Sequence, residues 1–308
     1  MKRRTREGDL ADWRLHIEPR FGKFPIASIT TAEVASWMGD LIAAGRSASS
    51  VTRYLATLRS ILAYAVADGR TTVNVAALVR PPRGGHARRE GRFLTLGQLH
   101  ALAGASTGPY AELVLVLGLA GLRWGELAGL QPGDLVSVPG RGLRLQRAVL
   151  ASGAGGELFV DTLKSRRART VPLVDAVVPI VDRWAAGKGS GDWLFHAPRG
   201  GPLSESNWKR SVRWSAATTA VGVPGLRVHD LRHTAASVWL AAGADPKVVQ
   251  RILGHASAAM TMDLYGHLVD QNLWDAAKRV GESAGGLSGA SDENEGEVDD
   301  TRGEAEGS

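Results

Sequence analysis

Between Arg80 and Arg92 the chain reads Arg-Pro-Pro-Arg-Gly-Gly-His-Ala-Arg-Arg-Glu-Gly-Arg. Proline removes a backbone donor and glycine resists ordering, so neither a helix nor a central strand passes through it. The stretch has no large apolar side chain to pack. The fold must therefore be built in two pieces, one on either side. A length of 308 residues fits this, since domains commonly run to about 100–200 residues. The expected units are residues 1–80, a basic linker at 81–92, a larger domain at 93–272, and a C-terminal segment with an acidic tail at 273–308.

In the first unit Val51, Leu55, Leu58, Leu62 and Ala65 recur at helical spacing. Ser49 and Ser50 stand before this run as N-caps, and Gly69 follows as a stop signal. Thr30 or Thr31 caps a second helix over 32–43 that ends near Gly45. The expectation is a small all-helical domain of about four helices.

The second unit begins with a helix over 96–105 behind Thr95, then a very apolar one that opens at Pro109 and ends near Gly121. Residues 134–138, 143–150, 157–162 and 169–173 read as short strands, with turns at Pro139-Gly140 and Ser152 to Gly156. Helical patterning returns over 175–186, 204–220, 229–241, 245–253 and 259–268. The fold class is mainly α: a small helical domain, then an α+β domain with one small antiparallel sheet.

Charge is divided unevenly. Residues 281–308 hold nine acids and one base, a net of −8, which leaves 36 bases against 22 acids, or +14, on the other 280 residues. So basic a body points toward a polyanionic partner, most simply nucleic acid, although an Arg-rich genome composition would give the same charge. The tail has too little apolar surface to order itself. Cysteine is absent, which excludes disulfide scaffolds, thiol nucleophiles and Cys-ligated zinc and suits a reducing cytoplasm. The longest apolar run, Leu113 to Leu122, is too short to span a bilayer, and no apolar stretch follows the basic N-terminus, so neither membrane nor secretion is expected.

Several groups can carry chemistry. Arg123 and Glu126 sit one helical turn apart, so the carboxylate can orient the guanidinium. Lys164, Arg166, Arg167 and Arg169 crowd between two strand-like runs, which suggests a hairpin with a basic tip. His229 and Arg232 lie three apart at the start of a helix, where both can meet one anion. His255 follows Leu253-Gly254, and Tyr265 sits ten residues beyond. His229 and His233 have the spacing of a zinc-binding pair, but Arg232 would set a fixed cation beside the metal, so no metal and no cofactor are expected. Fixed guanidinium donors can stabilise the charge that gathers on a transferring phosphoryl group. A phenol can serve as nucleophile, and an ammonium or imidazolium can protonate a leaving alkoxide.

The order and spacing of these residues resemble the tyrosine recombinases, or phage-type integrases. The strings that carry the resemblance are Gly121-Leu-Arg-Trp-Gly-Glu-Leu127, His229-Asp-Leu-Arg-His-Thr234, Leu253-Gly-His-Ala-Ser257 and Leu264-Tyr-Gly-His-Leu268. Phe21 to Thr30 and Ser50 to Leu62 likewise resemble the family's helical core-binding domain. The resemblance spans roughly residues 10–270 and fills all six expected catalytic positions. It implies that Arg123 and Arg232 clamp the scissile phosphate and that Tyr265 attacks it, leaving a 3′-phosphotyrosyl link. Lys164 would protonate the departing 5′-oxygen, His229 would assist proton transfer at Tyr265, His255 would hydrogen-bond the phosphate, and Glu126 would support the site from behind. DNA contacts are expected from Arg53, Arg59, Arg88, Arg89, Arg166 and Arg167.

The implied partner is double-stranded DNA, gripped by a C-shaped clamp hinged at the linker, in the cytoplasm of a bacterial cell and on its chromosome. A monomer in solution would become a homotetramer on DNA, with an excisionase and a DNA-bending protein as accessory partners and the segment around 269–280 docked on a neighbour. The core-binding pattern begins near Leu10, so an arm-binding domain is either truly absent or truncated. Integration and excision of a phage or other mobile element is the favoured role. The alternatives are a Xer-type resolvase, a DNA-binding regulator derived from the family that does not recombine, and a supercoil-relaxing enzyme with related chemistry.

Overall fold

The computed structural model describes residues 3–82, 92–152, 156–162, 168–254, 277–278 and 280–282. Among them are two large hydrophobic cores, one drawn from residues 17–79 and the other from 94–252, and a small cluster of Ala236, Leu240, Val249 and Leu253.

The first core is wholly helical. Helix α1 (Arg3–Asp12) runs through a wide turn at Trp13–Ile17 into α2 (Glu18–Phe21), and α3 (Thr31–Ala43), α4 (Ala48–Ala67) and α5 (Val75–Leu78) pack around it. Val51, Leu55, Leu58 and Leu62, the residues that set the period of α4, are buried against Ile17, Phe21, Val34 and Trp37. Thr30 caps α3, and its capping box is closed by Glu33. The cap of α4 is Ser47, whose hydroxyl accepts the Ser50 N–H, rather than Ser49 or Ser50.

In the second unit Thr95 caps α6 (Leu96–Ala105), again with a capping box, here closed by Gln98. Helix α7 (Leu113–Ala120) is buried almost all round and begins four residues after Pro109, behind a set of turns. Helix α8 (Trp124–Ala128) follows at once.

The strands differ from the expected single sheet. The run expected over 143–150 divides at Gln146 into β2 (Gly142–Leu145) and β3 (Arg147–Ala151). β2 lies between β1 (Leu135–Val136) and β5 (Arg169–Pro172), while β3 pairs with β4 (Leu158–Thr162), all antiparallel. The break has a cause. Buried Asp134 accepts from both Gln146 Nε2 (3.0 Å) and Arg147 Nη1 (2.5 Å), which draws this point out of the ladder. The hairpin expected between 162 and 172 is also corrected. β4 and β5 do not pair with each other; both face the β2–β3 strand, with Thr162 opposite Arg147 and Arg169 opposite Leu145. β4 and β5 thus lie end to end along that strand, and beyond the β3–β4 pairing the Ser152 N–H donates to the Glu157 carbonyl at 2.8 Å.

Helices α9 (Val178–Ala185), α10 (Glu205–Ser211), α11 (Trp214–Ala220), α12 (Asp230–Ala241) and α13 (Pro246–Leu253) complete the unit. The single helix expected over 204–220 breaks at Arg213, which takes φ +51°. Trp208 and Trp214 explain the break. Six positions apart, they would point to different sides of a continuous helix. Instead both are buried, with ring centroids 5.3 Å apart.

Candidate active site

The site is assembled where α7, α8, β5, α12 and α13 meet. Helix α7 ends on Gly121 at φ +66°, where a Cβ would lie 2.6 Å from Leu253 Cδ2. Helix α13 ends on Gly254 at φ +64°, where a Cβ would come within 3.0 Å of the Arg169 side chain. Both positions need glycine for the backbone angle and for close approach.

Arg123 stands at the N-cap of α8. Glu126, 1% exposed, reaches back to accept the Arg123 backbone N–H (2.9 Å) and Arg123 Nη1 (2.9 Å). The pair is no surface ion bridge. Arg169, at the start of β5, sets a two-pronged fork on the same carboxylate, Nη1 to Oε1 at 2.8 Å and Nη2 to Oε2 at 2.7 Å. Burial works against the Glu126 charge most strongly. The Arg169 and Arg123 hydrogen bonds and charges outweigh it and hold the carboxyl below its ordinary range.

Arg232, on the first turn of α12, is 2% exposed. Its Nη1 donates to the Gly121 carbonyl at 2.7 Å and its Nη2 to the Leu253 carbonyl. His229 is the N-cap of α12. Desolvation lowers its pKa to about 4, with His233, Arg232 and Arg123 adding to the effect. The imidazole is therefore neutral at pH 7. His233, whose ring meets that of His229 edge to face at 5.3 Å, is also shifted down, mainly by desolvation. Asp230 is turned away to Arg227, which donates to it from Nη2 at 2.6 Å and from its backbone N–H at 2.8 Å.

Arg123, Arg169 and Arg232 against one carboxylate, Glu126, leave two positive charges in surplus at this junction. Arg123, whose side chain is 45% exposed, opens onto a cleft of about 760 Å³ that is also lined by Trp124, Asp161, Lys209 and Gly254. Such a surplus of fixed positive charge favours an anion and charge that develops on one.

The expected residues thus fall into three groups. Arg123, Glu126, His229 and Arg232 are brought together. Lys164, His255, Tyr265, Arg88, Arg89, Arg166 and Arg167 lie outside the described residues, as do the expected helix at 259–268, most of the linker and nearly all of the tail. Arg53 and Arg59 are on α4, in the other core. Arg53 pairs with Asp12 at 2.8 Å. Arg59 donates to the Ala76 and Val79 carbonyls (3.0 and 2.5 Å), a structural staple that the expectation of a DNA contact did not foresee. Arg169 was not singled out from the sequence. Its signal is masked by three neighbouring cations, and it is strand pairing that sets Arg169 opposite Leu145 and onto Glu126.

Residues 92–272 match the model of the phage integrase family, and residues 3–81 that of the phage integrase central domain. The integrase of Mycobacterium phage D29 is 31% identical over 279 residues, covering 88% of this chain and 72% of that one. Tyrosine recombinase XerD of Mycobacterium tuberculosis is 31% identical over 280 residues, covering 82% and 83%. Among solved structures, the Tn1549 transposon integrase in complex with a circular intermediate DNA superposes with a TM-score of 0.71 at 21% identity, covering 86% of this chain and 90% of that one. A lambda integrase tetramer bound to a Holliday junction gives 0.59 at 22% identity, over 84% and 73%. At those identities the superpositions establish the fold.

Proposed function

The chain belongs to the phage integrase family of tyrosine recombinases, enzymes that cut and rejoin DNA strands, and on that premise we propose that it integrates and excises a mobile element at attachment sites in duplex DNA. The observation that carries the reading is the Arg123–Glu126–Arg232 junction. Two guanidinium groups from distant parts of the chain are fixed at one point by a buried carboxylate and two backbone carbonyls. Donors fixed before the substrate arrives need no rearrangement as charge develops on a phosphate.

In this reading Arg123 and Arg232 bind the non-bridging oxygens of the scissile phosphate. The Tyr265 phenolic oxygen attacks phosphorus, the bond to the 5′-oxygen breaks, and Lys164 gives that oxygen its proton. His229, neutral at pH 7, takes the phenol proton. His255 adds a hydrogen bond to the phosphate. The bond energy is kept in the phosphotyrosine, so the reverse attack by a 5′-hydroxyl reseals the strand without ATP. The two units, joined by the basic linker, grip the duplex, and four copies assemble to exchange two strands in turn. The net +14 outside the tail favours such a partner.

The equal identity to a phage integrase and to XerD keeps a second role in view, resolution of repeated sites on one circle. DNA flanking the gene on one plasmid and the uninterrupted chromosomal site on another separate the two. Recombinant joints between the different plasmids establish integration. Joints formed only between two copies of the same site on one circle would replace that role with resolution.

A further inference from the structure

Arg169 has no role in the catalytic scheme, yet it bridges two parts of the site, the Glu126 carboxylate and the end of α13. Its side chain is only 13% exposed. Besides its fork on Glu126, its Nε donates to the Ile252 carbonyl at 2.9 Å. That carbonyl belongs to the last turn of α13, where carbonyls have no partner within the helix and the dipole favours a cation. The next carbonyl, of Leu253, accepts from Arg232. Two arginines thus cap adjacent carbonyls at one helix end, and Gly254 leaves the room for Arg169.

The connections along the chain are equally direct. Arg169 opens β5, five residues after Lys164. Ile252 lies three residues before His255. Glu126 holds both the backbone and the guanidinium of Arg123. One side chain therefore ties the carboxylate under the clamp to the end of α13, from a strand whose register against β2 is fixed by four residue pairs.

We propose that Arg169 is the positioning residue of the site: it fixes Arg123 through Glu126, and the α13 terminus through the Ile252 carbonyl, so that both halves of the phosphate clamp keep one geometry. The proposal rests on the recombinase reading. Arginine is required rather than any cation, because a lysine ammonium cannot place two parallel donors on a carboxylate and a third on a carbonyl.

The test is single-turnover cleavage at saturating DNA by the full chain. The probe is a nicked duplex, its site chosen by wild-type cleavage of the DNA flanking the gene. Arg169→Ala and Arg169→Lys are compared with wild type, with DNA affinity and thermal melting measured alongside. A misplaced clamp slows cleavage on the order of 10–100-fold. Both variants should show this loss while affinity and folded fraction at the assay temperature stay near wild type. A second probe carries sulfur in place of the bridging 5′-oxygen, a leaving group that needs no proton. It should leave the defect in place, because the fault lies at the clamp. Adding Glu126→Gln to Arg169→Ala should cost little more, since the two act as one unit.

Cleavage by Arg169→Lys at the wild-type rate would overturn the proposal. So would a loss that merely tracks lost folding or affinity, and so would rescue by the sulfur substrate. A wild-type protein that forms no adduct on any flanking DNA would instead defeat the recombinase reading itself.

Discussion

Glu126→Ala leaves two guanidinium groups without the carboxylate that organises them. The four hydrogen bonds it accepts run from 2.7 to 2.9 Å, and the carboxylate is 1% exposed. Removing one partner of a buried pair costs about 3–5 kcal/mol, chiefly because the other charge stays buried and uncompensated. Here the two arginines differ. Arg123 is nearly half exposed and can turn to water, so its share is small. Arg169, at 13%, has no such escape without giving up the Ile252 carbonyl. The loss should therefore sit at the low end, about 3 kcal/mol, and come mostly from Arg169. For a domain of this size that is a fall in Tm of roughly 6–12 °C. Urea unfolding read by circular dichroism and by tryptophan fluorescence measures it directly. Tryptophan lies in both cores, Trp37 in the first and Trp208 and Trp214 in the second, so fluorescence follows both transitions. Arg169→Met should recover part of the stability lost in Glu126→Ala, because it removes the stranded charge. A loss below about 1 kcal/mol, or no recovery in the double variant, would refute the reasoning.

Two further outcomes follow from the same junction. His229 in the free protein should stay unprotonated down to about pH 4, as read from its imidazole NMR shifts, and an ordinary midpoint near 6.5 would contradict the crowding seen around it. Because its folded pKa is depressed, the unfolded chain binds more protons between about pH 4 and 6.5. The contribution of His229 to stability is thus complete above about 6.5 and is lost as pH falls toward 4; His233 acts in the same direction. Gly125→Ala should destabilise by about 1–3 kcal/mol, since its Cβ would meet the Val149 carbonyl at 2.6 Å and α8 would have to leave β3. A neutral melting curve would show that the α8–β3 contact is looser than described.

What could be read from the sequence was local. The apolar period of α4, the capping threonines at 30 and 95, and the three-residue spacings of Arg123 with Glu126 and His229 with Arg232 act within one or two turns of helix, and the structure contains each of them. What escaped depended on pairing at a distance. The division of the long strand at Gln146 is set by Asp134, twelve residues earlier, and the break at Arg213 by two tryptophans that share one core. That Arg59 holds the carbonyls of Ala76 and Val79 is likewise invisible in its charge alone. Arg169 is the sharpest case. Nothing in its neighbourhood distinguishes it from Arg166 or Arg167, yet strand register carries it 43 positions back to Glu126 and 83 forward to Ile252.

In the proposed function the junction of Arg123, Arg232 and His229 serves phosphoryl transfer to Tyr265. The most direct measurement is a denaturing gel of protein incubated with the nicked flanking-DNA duplex, followed by mass mapping of the joined peptide. The expected adduct is on Tyr265 and is absent in Tyr265→Phe, with DNA affinity unchanged in that variant. In Arg232→Ala the adduct should form more slowly, on the order of 10²-fold or more. An adduct that survives in Tyr265→Phe, or one that forms as fast without the Arg232 guanidinium, would rule out this role for the junction.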